Sequence, residues 1–322
     1  MKEISIKEIS NIKIGQAENR EAATGCTVFI SEEGMAAGLD VRGSGPASRE
    51  SQLLNPLMAI QKIHAIVLSG GSAFGLGAAN GVMQCLEERN IGHDVRVTKV
   101  PLVAQADIFD LAIGDTFVRP DPEMAYEAAV KALEEPNYRD GNYGAGCGAT
   151  VGKLLKMTSC MKSGIGSYAV QIDELQVGAV VVVNAMGDIF DCDTGKKIAG
   201  LLNEDNTGFR STKELMRASI ERVENKFVGN TTLAVVITNA EFDKTQLTKI
   251  AGMAHDGFAR AIDPVHTSVD GDSIFAASVG NVKADQDLVG MTAADVVVQA
   301  IKRAVLSAEG AYGFPAARDL EF

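Results

Sequence analysis

Two stretches in this chain are apolar on both faces, and they limit what it can become. Val177 to Met186 and Leu233 to Ile237 show no polar alternation, so as strands they must be buried on both faces. A strand of that kind needs cover above and below. The cover is legible too: Leu247, Ile250, Ala251, Ala254, Phe258 and Ile262 repeat at a period near 3.6, one stripe of an amphipathic helix. A final helix is expected over residues 293–306, another over 122–133 closed by Pro136, and one from the small residues after Gly77 to Glu88. Shorter strands are expected at Thr27 to Ser31, Gly38 to Arg42, Ala65 to Leu68 and Ser273 to Val279. Helices packed on buried strands imply a layered α/β domain.

Residues 203–228 form the most polar segment, with Asn203, Glu204, Asp205 and Asn206, then Lys213, Glu214, Arg217, Glu221, Arg222, Glu224 and Lys226. An exposed loop and helix is expected there, the best candidate for a linker. Directly after it stand Gly229-Asn230-Thr231, and a buried strand begins at once. Such an arrangement exposes one peptide bond while fixing the residues on its C-terminal side. If the Thr231 hydroxyl attacks the Asn230 carbonyl, an N-to-O acyl shift gives an ester, and hydrolysis frees an α-amine on the residue that carries the hydroxyl. An α-amine titrates near ~7.7–8.0 and can take the hydroxyl proton. Thr232 points to the opposite strand face, so one threonine of the two can serve.

Other motifs lead elsewhere. After Leu68 the run contains Gly75 and Gly77 but Asn80 where a dinucleotide loop needs its third glycine, so a close-packed helix start is expected. Gly152-Lys153-Leu154 lacks the hydroxyl residue of a phosphate loop. Asp188, Asp191 and Asp193 crowd a turn without the glutamate that closes a calcium loop, and a solvated hairpin is expected. His64, His93, His255 and His266 show no zinc spacing, and His255, on the apolar-striped helix, is expected to be partly buried and satisfied. The five scattered cysteines predict buried, reduced thiols. A net charge of −12 excludes a nucleic-acid surface. No apolar run reaches the ~18 residues of a membrane span, and Met1 to Ser5 has no signal-peptide core, so a cytoplasmic location is expected.

Taken together the motifs resemble the DmpA-type family of self-processing aminopeptidases and amidases, with its β-peptidyl aminopeptidases and nylon-oligomer hydrolase. The resemblance runs from Gly25-Cys26-Thr27-Val28 and Ala37 to Gly43, through Ser48 to Ser51 and Ser69 to Leu76. It continues with Gly146 to Lys153, Val183 to Asp188 and Asn230-Thr231-Thr232, and ends with His255 to Ile262, Pro264 to Thr267 and Asp270-Gly271-Asp272. It implies a four-layer αββα sandwich of the DmpA and ornithine-acetyltransferase type, like the N-terminal-nucleophile hydrolases. One domain, 1–322, would be cut into an α chain 1–230 and a β chain 231–322. Carried over, the nucleophile is Thr231, Asn184 helps hold the oxyanion, Lys153 stands beside the nucleophile, and Asp270 and Asp272 form an acidic pair at its amine. Where some relatives carry a tyrosine near the site this chain has Phe109, and Tyr143 is a substitute to test. The resemblance also implies amide or short-peptide substrates, a homotetramer, and neither metal nor organic cofactor. Two alternatives stay open: acyl transfer of the ornithine-acetyltransferase kind, and an uncleaved relative that only binds ligands.

Overall fold

The doubly apolar strands lie at the middle of the molecule. A computed structural model of the chain describes residues 1–155, 157–218 and 229–320. Ten strands form its main sheet: β1 (Lys2–Ile4), β2 (Lys13–Asn19), β3 (Thr24–Val41), β4 (Ala47–Arg49), β5 (Ile63–Ser69), β6 (Val103–Asp107), β7 (Ile165–Ile172), β8 (Leu175–Val182), β9 (Leu233–Ala240) and β10 (Ser273–Val282). They run in the order β1-β7-β8-β9-β10-β3-β5-β6-β4, with β2 also paired to β3. The four long helices are α1 (Ala79–Glu88), α2 (Pro122–Glu134), α3 (Lys244–Ala261) and α4 (Gln286–Ser307).

One strand makes the sandwich. The first half of β3, Cys26–Ile30, pairs with β5, and its second half, Ala36 to Val41, pairs with β10, with a register shift between Ile30 and Met35. Through this bend the sheet folds over on itself. Phe29, Ile66 and Leu68 from one half share a core with Val180, Val182, Val235, Ile237 and Phe275 from the other. The alternate residues face outward onto helices. Val28, Ile30, Ala65 and Val67 meet α1 and α2, while Val177, Val181, Ala234, Val236 and Ile274 meet α3 and α4. The layers are therefore helix, sheet, sheet, helix, as expected. Each parallel pair, β5 with β6 and β9 with β10, is spanned by a helical crossover, α1 and α3 respectively.

Glycine lets α3 lie directly on the sheet. A Cβ on Gly38 would stand 2.2 Å from the backbone nitrogen of Thr248. Backbone on both sides leaves no flexible atom to give way. Gly38→Ala is expected to cost about 2–3 kcal/mol by overpacking, read as a lowered urea midpoint with an unchanged slope.

Several expectations change. The two predicted strands Thr27 to Ser31 and Gly38 to Arg42 are one strand, because exposed Glu32 and Glu33 sit on the bulge rather than in a loop. The Asp188 to Gly195 hairpin pairs Asp188–Phe190 with Lys197–Ala199; its tip, Asp193 to Lys196, is exposed as expected, but its base is buried. Asp188 is buried and accepts from Lys197 Nζ at 2.6 Å, the Leu201 amide at 2.9 Å and both the amide and hydroxyl of Thr212. Asp191 and Asp193 take Lys302 Nζ at 2.9 and 3.1 Å. An internal ammonium neutralises the acidic turn. Of the polar segment, Thr212–Ala218 is a short helix, and its last ten residues lie outside the described residues. All five cysteines are free thiols, Cys192 half-buried and the rest buried. Among the described residues no helix is long and apolar enough to cross a membrane.

Candidate active site

Register brings the site together. β8 is antiparallel to β9, with Val182 opposite Leu233, and β9 is parallel to β10, with Leu233 opposite Ser273. The residue two beyond the end of β8, the two before β9 and the three before β10 must then share one end of the sheet. These are Asn184, Thr231 with Thr232, and Asp270 to Asp272. Lys153 joins them from the glycine-rich turn, its amide bonded to the Met186 carbonyl at 3.0 Å. All of the expected site residues are buried, Thr231 being 4% exposed.

Around the Asn230–Thr231 bond the geometry is specific. The Thr231 hydroxyl donates to the Asn230 carbonyl oxygen at 2.5 Å. That oxygen also accepts the Gly271 amide at 3.0 Å. The Thr231 amide donates to the Asn184 backbone carbonyl at 3.0 Å, and the Asn230 amide to Val269 at 3.3 Å. A Cβ on Gly271 would come within 2.6 Å of Thr231 Oγ1, so only glycine admits the hydroxyl here. Thr232 Oγ1, by contrast, has no hydrogen-bond partner.

Asn184 is held from three directions. Its Oδ1 accepts Lys153 Nζ at 2.7 Å and the Thr150 amide at 3.1 Å, and its Nδ2 donates to the Phe109 carbonyl at 3.1 Å. Two donors on Oδ1 fix the amide's orientation. The Asn230 carbonyl accepts from the Thr231 hydroxyl and the Gly271 amide, while the Asn184 side chain, which the resemblance implies for the oxyanion, is bonded to Lys153, Thr150 and Phe109. A backbone N–H leaves no mark in a sequence, so no residue type signals it. Phe109 also lies against Gly229: a Cβ there would stand 2.4 Å from the phenyl ring. Tyr143 does not replace the missing hydroxyl, since its ring lies under the guanidinium groups of Arg20 and Arg139.

Electrostatics is dominated by burial. Lys153 is pushed down to about 7 by loss of solvent, against the pull of Cys160, Asp270, Asp110 and Asp272. Its Nζ also donates to the Gly229 carbonyl at 3.3 Å. Burial, then the charge of Asp272, raises the Asp270 carboxyl to about 6. Asp270 accepts the Thr267 amide at 2.8 Å and the Thr267 hydroxyl. Asp272 accepts the Thr232 amide at 2.8 Å through Oδ1, and the amide and Nδ1 of His266 at 3.1 and 2.8 Å through Oδ2. The acidic pair thus anchors the strand after Thr231 and the turn behind it. His255 is fully buried rather than partly: Nε2 meets the Asp40 carbonyl at 3.1 Å, and Nδ1 has no partner.

A second buried lysine, on the short strand Met161–Lys162, reaches into the adjoining glycine-rich turn. Lys162 Nζ donates to the carbonyls of Gly146, Ala149 and Ser163, and burial pushes it down to about 7. Between that value and 10.5 the unfolded chain carries a proton that the folded chain lacks, so stability rises with pH across that window and the penalty is complete below it. Lys162→Met is expected to flatten this rise by up to about 1.4 kcal/mol per pH unit, read from urea unfolding between pH 7 and 10. Among the described residues no group of three His, Cys, Asp or Glu is placed to hold a metal ion.

Comparison with known proteins agrees with this architecture. The model of peptidase family S58 matches residues 5–318. An uncharacterized aminopeptidase of Mycobacterium leprae is 35% identical, over 97% of this chain and 92% of its own. A 6-aminohexanoate-oligomer endohydrolase of Paenarthrobacter ureafaciens is 30% identical over 85% of this chain and 75% of its own. Among solved structures, the L-aminopeptidase D-Ala-esterase/amidase of Ochrobactrum anthropi, described as a variant of the Ntn-hydrolase fold, superposes with a TM-score of 0.69 at 17% identity. It covers 97% of this chain and 90% of that one. A β-aminopeptidase of Burkholderia sp. gives 0.68 at 17% identity, covering 94% and 86%. The chain belongs to peptidase family S58, the DmpA-type family, with its Ntn-hydrolase-like fold and aminopeptidase or amidase-like function.

Proposed function

We propose that the chain cleaves itself between Asn230 and Thr231 and that the freed Thr231 then hydrolyses amide bonds of short peptides, aminoacyl amides or related oligoamides. One observation carries this reading: the Thr231 hydroxyl and the Gly271 amide converge on the carbonyl to be attacked, at 2.5 and 3.0 Å. Thr231 Oγ1 adds to the Asn230 carbonyl carbon. The oxyanion gains the Gly271 hydrogen bond, a preorganised donor of the kind that contributes most in acyl transfer. Collapse breaks the C–N bond, the leaving nitrogen takes the proton that the hydroxyl gave up and becomes the Thr231 amine, and water hydrolyses the ester to leave a carboxylate on Asn230 and the free hydroxyl on Thr231.

Cleavage releases the Gly271 amide from Asn230, so the same donor becomes free for a substrate carbonyl. Asn184 has a second amide hydrogen for that oxyanion beside the one on Phe109. In turnover the α-amine takes the hydroxyl proton, Thr231 Oγ1 forms the acyl ester as the substrate's amine leaves with that proton, and water returns the free hydroxyl. Lys153 nearby disfavours a protonated amine. The pieces 1–230 and 231–322 stay associated because β9, β10, α3 and α4 belong to the larger piece's core. A cytoplasmic homotetramer is the assembly this reading carries.

The test is a panel of chromogenic aminoacyl anilides and short oligoamides given to the purified protein, with acetyl-ornithine and glutamate in a parallel arm. Release of free acid from at least one amide is expected. Acetyl transfer without hydrolysis would replace this reading with the transferase.

A further inference from the structure

We propose that His266 is a positioning residue that acts through Asp272 on the backbone of the nucleophile, and that amide hydrolysis depends on it more than self-cleavage does. This rests on the function proposed above and adds to it a residue with a separable effect.

The contacts run in one line. His266 reaches Asp272 Oδ2 twice, with its amide at 3.1 Å and its Nδ1 at 2.8 Å. The other oxygen of Asp272 receives the Thr232 amide at 2.8 Å. A carboxylate accepts, so Nδ1 carries the proton in this pair. His266 Nε2 is buried without a hydrogen-bond partner, so the ring's one polar contact is the one to Asp272. The residue holds a left-handed backbone conformation, φ 55°, uncommon for a side chain with a Cβ. Its double grip on Asp272 is what that conformation allows. Behind the ring stands a wall: His255 meets it edge-on at 4.8 Å between centroids, and Phe258 lies at 6.1 Å. The ring therefore has little room to turn away from the carboxylate.

The restraint this line supplies differs before and after cleavage. In the intact chain Thr231 is tethered on both sides. Upstream, Asn230 is bonded through its amide to Val269 and through its carbonyl to Gly271. Downstream, Thr232 is held by Asp272, and its carbonyl by the Ser273 amide at 3.2 Å. Once the Asn230–Thr231 bond is cut the upstream tether is gone. Thr231 is then joined covalently through Thr232 alone, and the Asp272 contact, beside the bond from the Thr231 nitrogen to the Asn184 carbonyl, restrains where its hydroxyl and amine point. Misplacement of a nucleophile by about 1 Å costs on the order of 10²-fold in rate.

His266→Gly separates the donor from the backbone, since glycine suits the left-handed conformation and retains the amide contact. His266→Asn keeps both, because asparagine tolerates that conformation and offers an amide donor near the Nδ1 position. Each full-length protein is assayed two ways: self-cleavage in a cell-free translation time course, and kcat and KM on an anilide that the wild type hydrolyses. For the glycine variant we expect cleavage within about threefold of wild type, kcat lower by about 30-fold, KM within twofold, and an unchanged melting temperature. The asparagine variant should recover kcat to within about threefold. If the glycine variant does not fold, His266→Ala takes its place with the same expectations. Equal losses in cleavage and hydrolysis, wild-type kcat in the glycine or alanine variant, or no recovery with asparagine would each overturn the proposal. A wild type that neither cleaves nor hydrolyses overturns the function on which it rests, and the proposal with it.

Discussion

Thr231→Ala is expected to yield one uncut chain of 322 residues that hydrolyses no amide above background. Two reactions are expected to fail together because the proposed function gives both the same nucleophilic oxygen. Without Oγ1 the Asn230 carbonyl has nothing beside it to attack, so the α-amine is never liberated, and a substrate finds neither nucleophile nor base. Losses of at least about 10⁴-fold are normal when a nucleophile is removed. The fold should survive, since the hydroxyl's bond is to the adjacent carbonyl, which keeps the Gly271 amide at 3.0 Å. Thr231→Ser provides the contrast: with an oxygen at the same position it should still cut, more slowly, because Thr carries a methyl that restricts χ1. A gel of the three purified proteins beside an anilide assay reads all of this.

Lys153→Met carries the second large effect, and it separates activity from stability. The Lys153 ammonium holds Asn184 Oδ1 at 2.7 Å and the Gly229 carbonyl at 3.3 Å, one residue before the bond to be cut. Losing it removes one of Asn184's three contacts and loosens the segment that presents Asn230. We expect self-cleavage and hydrolysis to fall by about 10²–10³-fold, the size usual for losing one preorganised donor. Stability should hold or rise, because burial already pushes this amine down to about 7 and an apolar chain of similar length avoids that desolvation. A thermal melt beside the cleavage time course gives both answers. Full activity in the methionine variant would remove Lys153 from the site.

The centre of the fold is legible in the sequence and its edges are obscure, for a physical reason. Val177 to Val182 and Leu233 to Ile237 are apolar on both sides, so nothing but a covered strand suits them, and the stripe from Leu247 to Phe258 marks α3 as plainly. β2 and β6 escape a reading of the sequence. Gln16, Glu18, Gln105 and Asp107 interrupt their apolar pattern; the first three side chains find partners far along the chain in Arg139, Gly144 and Gly75, and Asp107 accepts from Gln105. β3 reads as two strands because Glu32, Glu33 and Gly34 look like a loop until β5 and β10 are present to pair on either side. The three-residue strands at Lys2–Ile4 and Ala47–Arg49 carry too little pattern to be seen.

For the site, a polar segment running into a buried strand makes the Asn230–Thr231 bond one candidate among ordinary turns, and resemblance supplies its role together with Asn184, Lys153, Asp270 and Asp272. Sheet register then explains why residues so far apart in the chain come together, since three neighbouring strand ends meet there. The Gly271 amide and the His266 contact are beyond the reach of sequence. The first is a backbone donor, and the second depends on a left-handed turn that no residue type announces.

The central claim is that one particular peptide bond breaks. Intact mass measurement of the purified wild-type protein under denaturing conditions, with N-terminal sequencing of the smaller piece, tests it directly. Two chains are predicted, 1–230 and 231–322, the second beginning Thr231-Thr232-Leu233. A single unbroken chain, still unbroken after prolonged incubation between pH 6 and 9, or a cut at any other bond, would contradict the account.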